Sequence, residues 1–217
     1  MLKWIISFLL LSHVSVWSDT AEVSQRHHEE PVILVIGDSL SSAYGIDIDA
    51  GWVALLQSKI TGLDCDYKVL NASVTGDTTA GGLTRLKKAL VRHQPALVVL
   101  ELGGNDGLRG TPLSVVEKNL SAMIEHSSAA GAGVALLGMR IPVNYGPRYA
   151  RQFHDLYRKL AAQYDVPLTE FFMEGVALNP ALMQADGIHP NAQAQPVLLA
   201  NAWPAITQAL GEGCQTH

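Results

Sequence analysis

The sequence is short of cysteine, of charge and of long apolar runs, and each shortage excludes something. Two cysteines in 217 residues are too few for a disulfide-stapled miniature fold or a four-cysteine zinc site. Only 16% of the residues are charged, which suits neither a disordered chain nor a highly charged coiled coil. Basic residues are outnumbered, 15 Lys and Arg against 20 Asp and Glu, so there is no excess to neutralise phosphates and no nucleic-acid partner is expected. No apolar run reaches the roughly 20 residues a membrane-spanning helix needs. A Gly-x-Ser-x-Gly elbow, a Walker loop, a Gly-x-Gly-x-x-Gly turn and a His-Glu-x-x-His pair are all missing, which removes the usual lipase, nucleotide-binding and zincin signatures.

What is present is a chain long enough for one sizeable core, 48% hydrophobic, for which a single domain is the natural expectation. Residues 1–18 combine Lys3, an apolar stretch from Trp4 to Leu11 and a small-residue region ending at Ser18. That is the pattern of a cleaved secretory signal, the apolar stretch being about half the length of a spanning anchor. The expectation is a periplasmic or secreted protein with no stable membrane span in its mature form. Residues 19–29 have no apolar period and read as a flexible leader; His27 and His28 within it fit a solvated tail better than a metal site. The folded domain is then 30–211, with 212–217 as a C-terminal tail. An oxidising compartment would permit a Cys65–Cys214 disulfide, although spacing alone does not say whether the two meet.

From Pro31 onward β-branched runs alternate with helical patterns, the signature of an α/β domain with a mainly parallel sheet. Strands are expected at Val32–Ile36, Tyr67–Leu70, Ala96–Leu100, Val134–Leu137 and, more weakly, Val166–Leu168. Their lack of polar alternation suits strands covered on both faces. Leu113, Val116, Leu120, Met123 and Ile124 recur at helical spacing, with Thr111 expected as N-cap and Pro112 in the first turn. Phe153, Leu156, Tyr157, Leu160 and Tyr164 repeat the pattern and read as core. A last helix is expected from about Asn191, presenting Val197, Leu198, Trp203, Ile206 and Leu210, with Pro196 and Pro204 disturbing its register.

In open parallel sheets functional groups gather at the carboxyl ends of strands, and four segments there carry unusual content: Gly37-Asp38-Ser39-Leu40, Val74-Thr75-Gly76-Asp77, Gly103-Gly104-Asn105-Asp106 and Asp186-Gly187-Ile188-His189-Pro190. Each alone has a bland explanation as a cap or tight turn. Together they supply complementary parts of one reaction. A serine hydroxyl needs an adjacent base, which His189 can be, and Asp186 can fix the imidazole tautomer and stabilise the imidazolium. The backbone N–H groups of Ser39 and Gly76 and the Asn105 amide can bind the charge that develops on an acyl oxygen, Gly76 allowing close approach because it lacks a Cβ. Asp77 and Asp106 fit loop hydrogen bonding better than metal ligation, and His93, His126, His154, His13 and His217 lack a paired motif and fit surface or signal positions.

With Ser39, Gly76, Asn105 and Asp186-x-x-His189 in order, the chain resembles the GDSL or SGNH hydrolase family over most of Pro31–Leu210. Leu102–Gly110 and Arg140–Gly146 are especially similar to its bacterial periplasmic thioesterase, lysophospholipase and arylesterase members. The resemblance implies a three-layer flavodoxin-like sandwich on a five-stranded parallel sheet. It further implies hydrolysis of esters and thioesters with medium or long acyl chains, through an acyl-enzyme on Ser39, with no cofactor and no metal. The partner is then a small-molecule or lipid ester, and the protein a monomer. It also places an acyl groove along Gly107–Pro112 and Ile141–Gly146, with Leu108, Ile141, Pro142 and Tyr145 as contacts. Ser41-Ser42-Ala43 departs from relatives, which often carry a glycine there, and this bears on the groove shape. Two other readings are a carbohydrate acetyl esterase of the same fold, disfavoured by the apolar Ile141-Pro142-Val143, and a non-catalytic α/β binding module, which has no use for Ser, Asp and His in register.

Overall fold

A computed structural model describes residues 30–63 and 65–211. The expected signal, leader and tail fall outside that range, as do His13, His27, His28, His217 and the Cys214 half of the Cys65–Cys214 pairing. The sheet has five strands, β1 (Val32–Gly37), β2 (Lys68–Asn71), β3 (Leu97–Glu101), β4 (Gly133–Leu137) and β5 (Leu168–Thr169), in the order β2-β1-β3-β4-β5. Every neighbouring pair is parallel. Six α-helices join them: α1 (Trp52–Gly62), α2 (Thr79–His93), α3 (Gly104–Leu108), α4 (Leu113–Ala129), α5 (Pro147–Tyr164) and α6 (Gln195–Leu210). α1 packs with α6, whereas α2, α4 and α5 pack together, so helices cover both faces of the sheet and the α/β three-layer expectation is met.

Burial explains the strand sequences. All five residues of β3 and the last five of β1 are buried, and no position faces water, so apolar side chains run on without alternation. β2 lies at an edge and is only partly covered. Trp52, Phe153, Tyr157 and Phe172 are the largest fully buried side chains of the core; burying one aliphatic or aromatic side chain of this kind contributes about 1.5–3 kcal/mol.

Three expectations shift for local reasons. β5 begins at Leu168, not Val166, because Asp165 is still turning out of α5 with φ 51° and the Val166 N–H donates back to Ala161. Pairing starts only where the Leu136 N–H reaches the Pro167 carbonyl, 2.9 Å away. The N-cap of α4 is Pro112, not Thr111, since the Thr111 carbonyl is taken by the Tyr149 hydroxyl at 2.7 Å. Asn191 caps a single 3-10 turn, Ala192–Ala194, which leads directly into α6. Pro196 falls in the first turn of α6, where no N–H partner is needed, while Pro204 sits in its interior.

The strand order reverses between β1 and β3, one connection leading to β2 and the next to β3 and β4. Such a switch point opens a crevice at the carboxyl ends of the two strands. Gly37 and Glu101 are register partners there, and Ser39 and Asn105 follow a few residues beyond.

Candidate active site

Ser39 stands in the turn leaving β1. The Asp38 side chain folds that turn by accepting from the Leu40 N–H at 3.0 Å, and the Asp38 carbonyl accepts from the Ser42 N–H at 3.0 Å. Ser39 is buried at 8% exposure and lines the crevice.

His189 arrives on a loop shaped by Asp186. The Asp186 Oδ1 accepts from the backbone N–H groups of Ile188 (2.9 Å) and His189 (3.0 Å), and Gly187 takes φ 67° to let the loop turn. Its Oδ2 lies 2.7 Å from His189 Nδ1. These contacts, the His189 backbone N–H first, hold the Asp186 carboxyl down to about 2, so it is ionised. A carboxylate only accepts, so Nδ1 carries the proton and Nε2 is left as acceptor for the Ser39 hydroxyl, 3.0 Å away. Tyr44 lies against the imidazole, centroids 4.5 Å apart, and its carbonyl accepts from Gln184 Nε2 at 2.8 Å, tying the two loops together.

Asn105 is the second residue of α3, whose N-cap is Gly103 with φ 115°. A Cβ at Gly103 would stand 2.2 Å from the Tyr157 hydroxyl, which itself donates to the Leu102 carbonyl, so this approach requires glycine. The Asn105 Nδ2 donates to Asp38 Oδ2 at 3.0 Å. Gly76 occupies the turn after β2 with φ 75°, and its carbonyl accepts from the Arg109 guanidinium at 3.1 Å. A Cβ there would meet nothing within 4 Å. Within the protein itself the positive φ, rather than close packing, is what calls for glycine at this position.

A cavity of about 310 Å³ opens beside Ser39, Asn105 and His189. Of the four expected contacts, Leu108, Ile141 and Pro142 stand in its wall; Tyr145 does not line it, being carried on a short turn with 45% of its surface exposed. Arg140, Phe171, Met183 and Ile188 also stand in the wall, and sequence reasoning missed Met139, Met173, Ala177 and Leu178 there. The signal that could have found the last three is their place just after β5, at the same edge as the other functional loops. Leu178 is 97% exposed at φ 67°, an uncommon conformation for a leucine.

The Asp106 carboxylate accepts from both the N–H and the hydroxyl of Thr79, each at 2.8 Å, and Asp77 accepts from the Thr78 N–H and pairs with Arg85, so both hold loops. His154 is half-buried, its Nε2 3.7 Å from Glu170 Oε2, and among the described residues neither ring nitrogen has a hydrogen-bond partner. His93 and His126 are half-buried. Ser41-Ser42-Ala43 lies beneath the turn and does not line the cavity. Ala43 has φ 59°, a left-handed position that glycine occupies without strain.

A buried acid also escaped the sequence reading. Glu101, at the end of β3, is fully buried; its Oε2 accepts from the Ser41 hydroxyl at 2.6 Å and the Asp38 N–H at 3.3 Å, and among the described residues its Oε1 has no hydrogen-bond partner. Burial, and then the nearby Asp38 charge, raise its carboxyl well above the usual range. Asp38 is raised to about 6, chiefly by burial, against the opposing hydrogen bonds from Leu40 and Asn105.

Comparison with known proteins gives one consistent neighbourhood. Residues 35–195 match the model of the GDSL-like lipase/acylhydrolase family. The chain is 52% identical over 178 residues to esterase TesA of Pseudomonas aeruginosa, covering 82% of this chain and 89% of that protein. It is 43% identical over 196 residues to thioesterase 1/protease 1/lysophospholipase L1 of Escherichia coli K12, covering 90% and 88%. Among solved structures, the psychrotrophic esterase EstA from Pseudoalteromonas, inhibited by monoethylphosphonate, superposes with a TM-score of 0.79 at 41% identity, covering 82% of this chain and 98% of that one.

Proposed function

This chain belongs to the GDSL-like lipase/acylhydrolase family and is an esterase, and we propose that it cleaves single-chain acyl esters and thioesters through an acyl-enzyme on Ser39. The observation that carries this reading is the Ser39–His189–Asp186 chain of contacts, 3.0 and 2.7 Å long, at the mouth of a largely apolar cavity. His189 Nε2 takes the Ser39 proton as Oγ attacks the acyl carbonyl, and Asp186 stabilises the imidazolium. The negative oxygen is held by the Ser39 and Gly76 N–H groups and by Asn105. His189 returns the proton to the departing alcohol or thiol. Water, activated by the same imidazole, then releases the acid and restores Ser39.

The cavity supports an acyl chain over a polar group. Its volume is at the low end of the roughly 300–1,000 Å³ of ligand pockets, which suits one chain and not two, and Leu108, Ile141 and Pro142 offer no hydrogen-bonding partner for a sugar. That favours lipid or aryl esters over a carbohydrate acetyl ester. Inhibition of a relative by a phosphonate fits a nucleophilic serine in this family. Among the described residues no helix is long and apolar enough to cross a membrane. The signal pattern of residues 1–18 favours an exported enzyme acting on lysophospholipids or other envelope esters as a single hydrolase domain spanning 30–211.

The test is a fluorophosphonate label followed by peptide mapping, with kcat/KM measured over a chain-length series of aryl esters, thioesters and lysophospholipids. Labelling at Ser39 and a rise in kcat/KM with acyl length are expected. Folded protein that takes no label, or a preference for acetyl esters of sugars, overturns the reading.

A further inference from the structure

Beneath the Ser39 turn lies a pair of buried acids, and among the described residues neither has a cationic partner. Asp38 and Glu101 are 2% and 0% exposed, and neither takes part in an ion pair among the described residues. Glu101 anchors the backbone of Asp38 through its N–H and the following turn through Ser41, whose oxygen also accepts from Trp52 Nε1 at 3.2 Å. The fit is tight: a Cβ on Gly37, the register partner of Glu101, would lie 2.6–2.8 Å from Ser41 and Glu101 atoms. The Asp38 carboxyl therefore has little freedom, and its two oxygens are assigned, one to Leu40 and one to Asn105.

A primary amide has two unlike ends, and a carboxylate accepts hydrogen bonds without donating any. Facing Asp38, Asn105 must present Nδ2 to it. One Nδ2 hydrogen is thereby occupied, and the other is turned away from Asp38 with Oδ1 held on the opposite side. An amide rotated by half a turn would offer Oδ1, an acceptor, to the same neighbourhood, where it would repel a developing oxyanion.

We propose that Asp38 is a positioning residue for the Asn105 amide, fixing which end faces the acyl oxygen, with Glu101 fixing Asp38 in turn. This rests on the reading above that Asn105 binds the oxyanion formed when Ser39 attacks. Asp38 is faced by Glu101 from β3, by Asn105 from α3, and by His189 and Asp77 from the two flanking loops. With its carboxyl near 6, Asp38 is anionic at neutral pH and loses its acceptor-only character in mild acid.

The experiment is a double-mutant cycle on kcat for an aryl ester, with Asp38→Asn, Asn105→Ala and the combination, each checked for folding by thermal melt and for fluorophosphonate labelling of Ser39. Asp38→Asn can donate to Oδ1 and so stabilise the wrong amide face. It is expected to lower kcat at least tenfold with KM within about twofold, and to cost nothing further in Asn105→Ala, as coupled residues do. Equal losses in both backgrounds overturn the link alone. An Asn105→Ala enzyme with full kcat overturns the oxyanion reading and the proposal together. Should Asp38→Asn not fold, the side-chain amide resonances of Asn105 in the wild type and in His189→Ala decide the matter. They should shift as Asp38 is protonated in both proteins, at higher pH in His189→Ala because His189 helps to lower the Asp38 carboxyl, and an amide that stays constant between pH 4 and pH 9 in both overturns the proposal.

Discussion

Asp186 holds His189 twice, once by the backbone N–H at 3.0 Å and once by Nδ1 at 2.7 Å. One carboxylate thus sets both the loop that delivers the imidazole and the tautomer it carries. Asp186→Asn keeps an acceptor for the backbone but offers an amide to Nδ1, so the wrong tautomer becomes available. A loss of about 10⁴ in kcat is expected with an unchanged melting curve, the size seen when a triad aspartate is amidated elsewhere. A loss under tenfold would remove Asp186 from the proposed mechanism. Because Asp186 stays ionised down to about pH 2, any fall of kcat/KM at higher pH belongs to other groups.

Ser39→Ala should abolish hydrolysis, by about 10⁶ in kcat if it behaves as a nucleophile acting in a unit with its base, while the melting temperature stays near that of the wild type. Asn105→Ala should cost on the order of 10²–10³ in kcat, as for other oxyanion donors. Steady-state kinetics on an aryl ester, read beside the melts, measures both.

The raised carboxyl of Glu101 has a consequence for stability. The folded state keeps a proton that the unfolded chain gives up above its ordinary value of 4.5. Fewer protons are then bound in the unfolded state, and stability falls as pH rises from that value toward the folded one. Glu101→Gln has no proton to lose. Its urea midpoint relative to wild type should therefore move in the variant's favour between pH 4.5 and pH 8; parallel curves would show that Glu101 does not titrate differently on folding.

Gly103 takes φ 115° with the Tyr157 hydroxyl in the space a Cβ would need. Gly103→Ala should destabilise the fold by about 2–5 kcal/mol, from left-handed strain of roughly 1–2 kcal/mol and overpacking of about 1–3. Chemical denaturation gives the number, and activity should fall with it because Asn105 follows two residues later.

Ala177 is a small side chain in the cavity wall. Filling that space in Ala177→Phe should leave hydrolysis of short acyl esters within a few-fold and cut kcat/KM for long ones. At about 0.8 kcal/mol per excluded methylene, losing four costs roughly 10²-fold. A chain-length series compares the two enzymes, and an unchanged profile would place the acyl chain outside this cavity.

Much of this architecture is written locally and so was legible in the chain itself. Buried runs such as Ile33–Ile36 and Leu97–Leu100 announce strands covered on both faces, because no residue in them is suited to water. Asp186 and His189 are close in sequence, and a single turn suffices to join them, so their pairing could be read from spacing. Ser39, Gly76 and Asn105 stand out because each follows a strand. Tertiary structure decided what depends on distant segments converging. Asp38 reaches Asn105 across 67 residues and Ser39 reaches His189 across 150, each only because the sheet gathers its carboxyl ends at one edge. The wall formed by Met173, Ala177 and Leu178, the exclusion of Tyr145 from it and the buried state of Glu101 likewise follow from packing. A short-range pattern records which face a residue prefers, but the volume and desolvation of a site are properties of all the loops that enclose it.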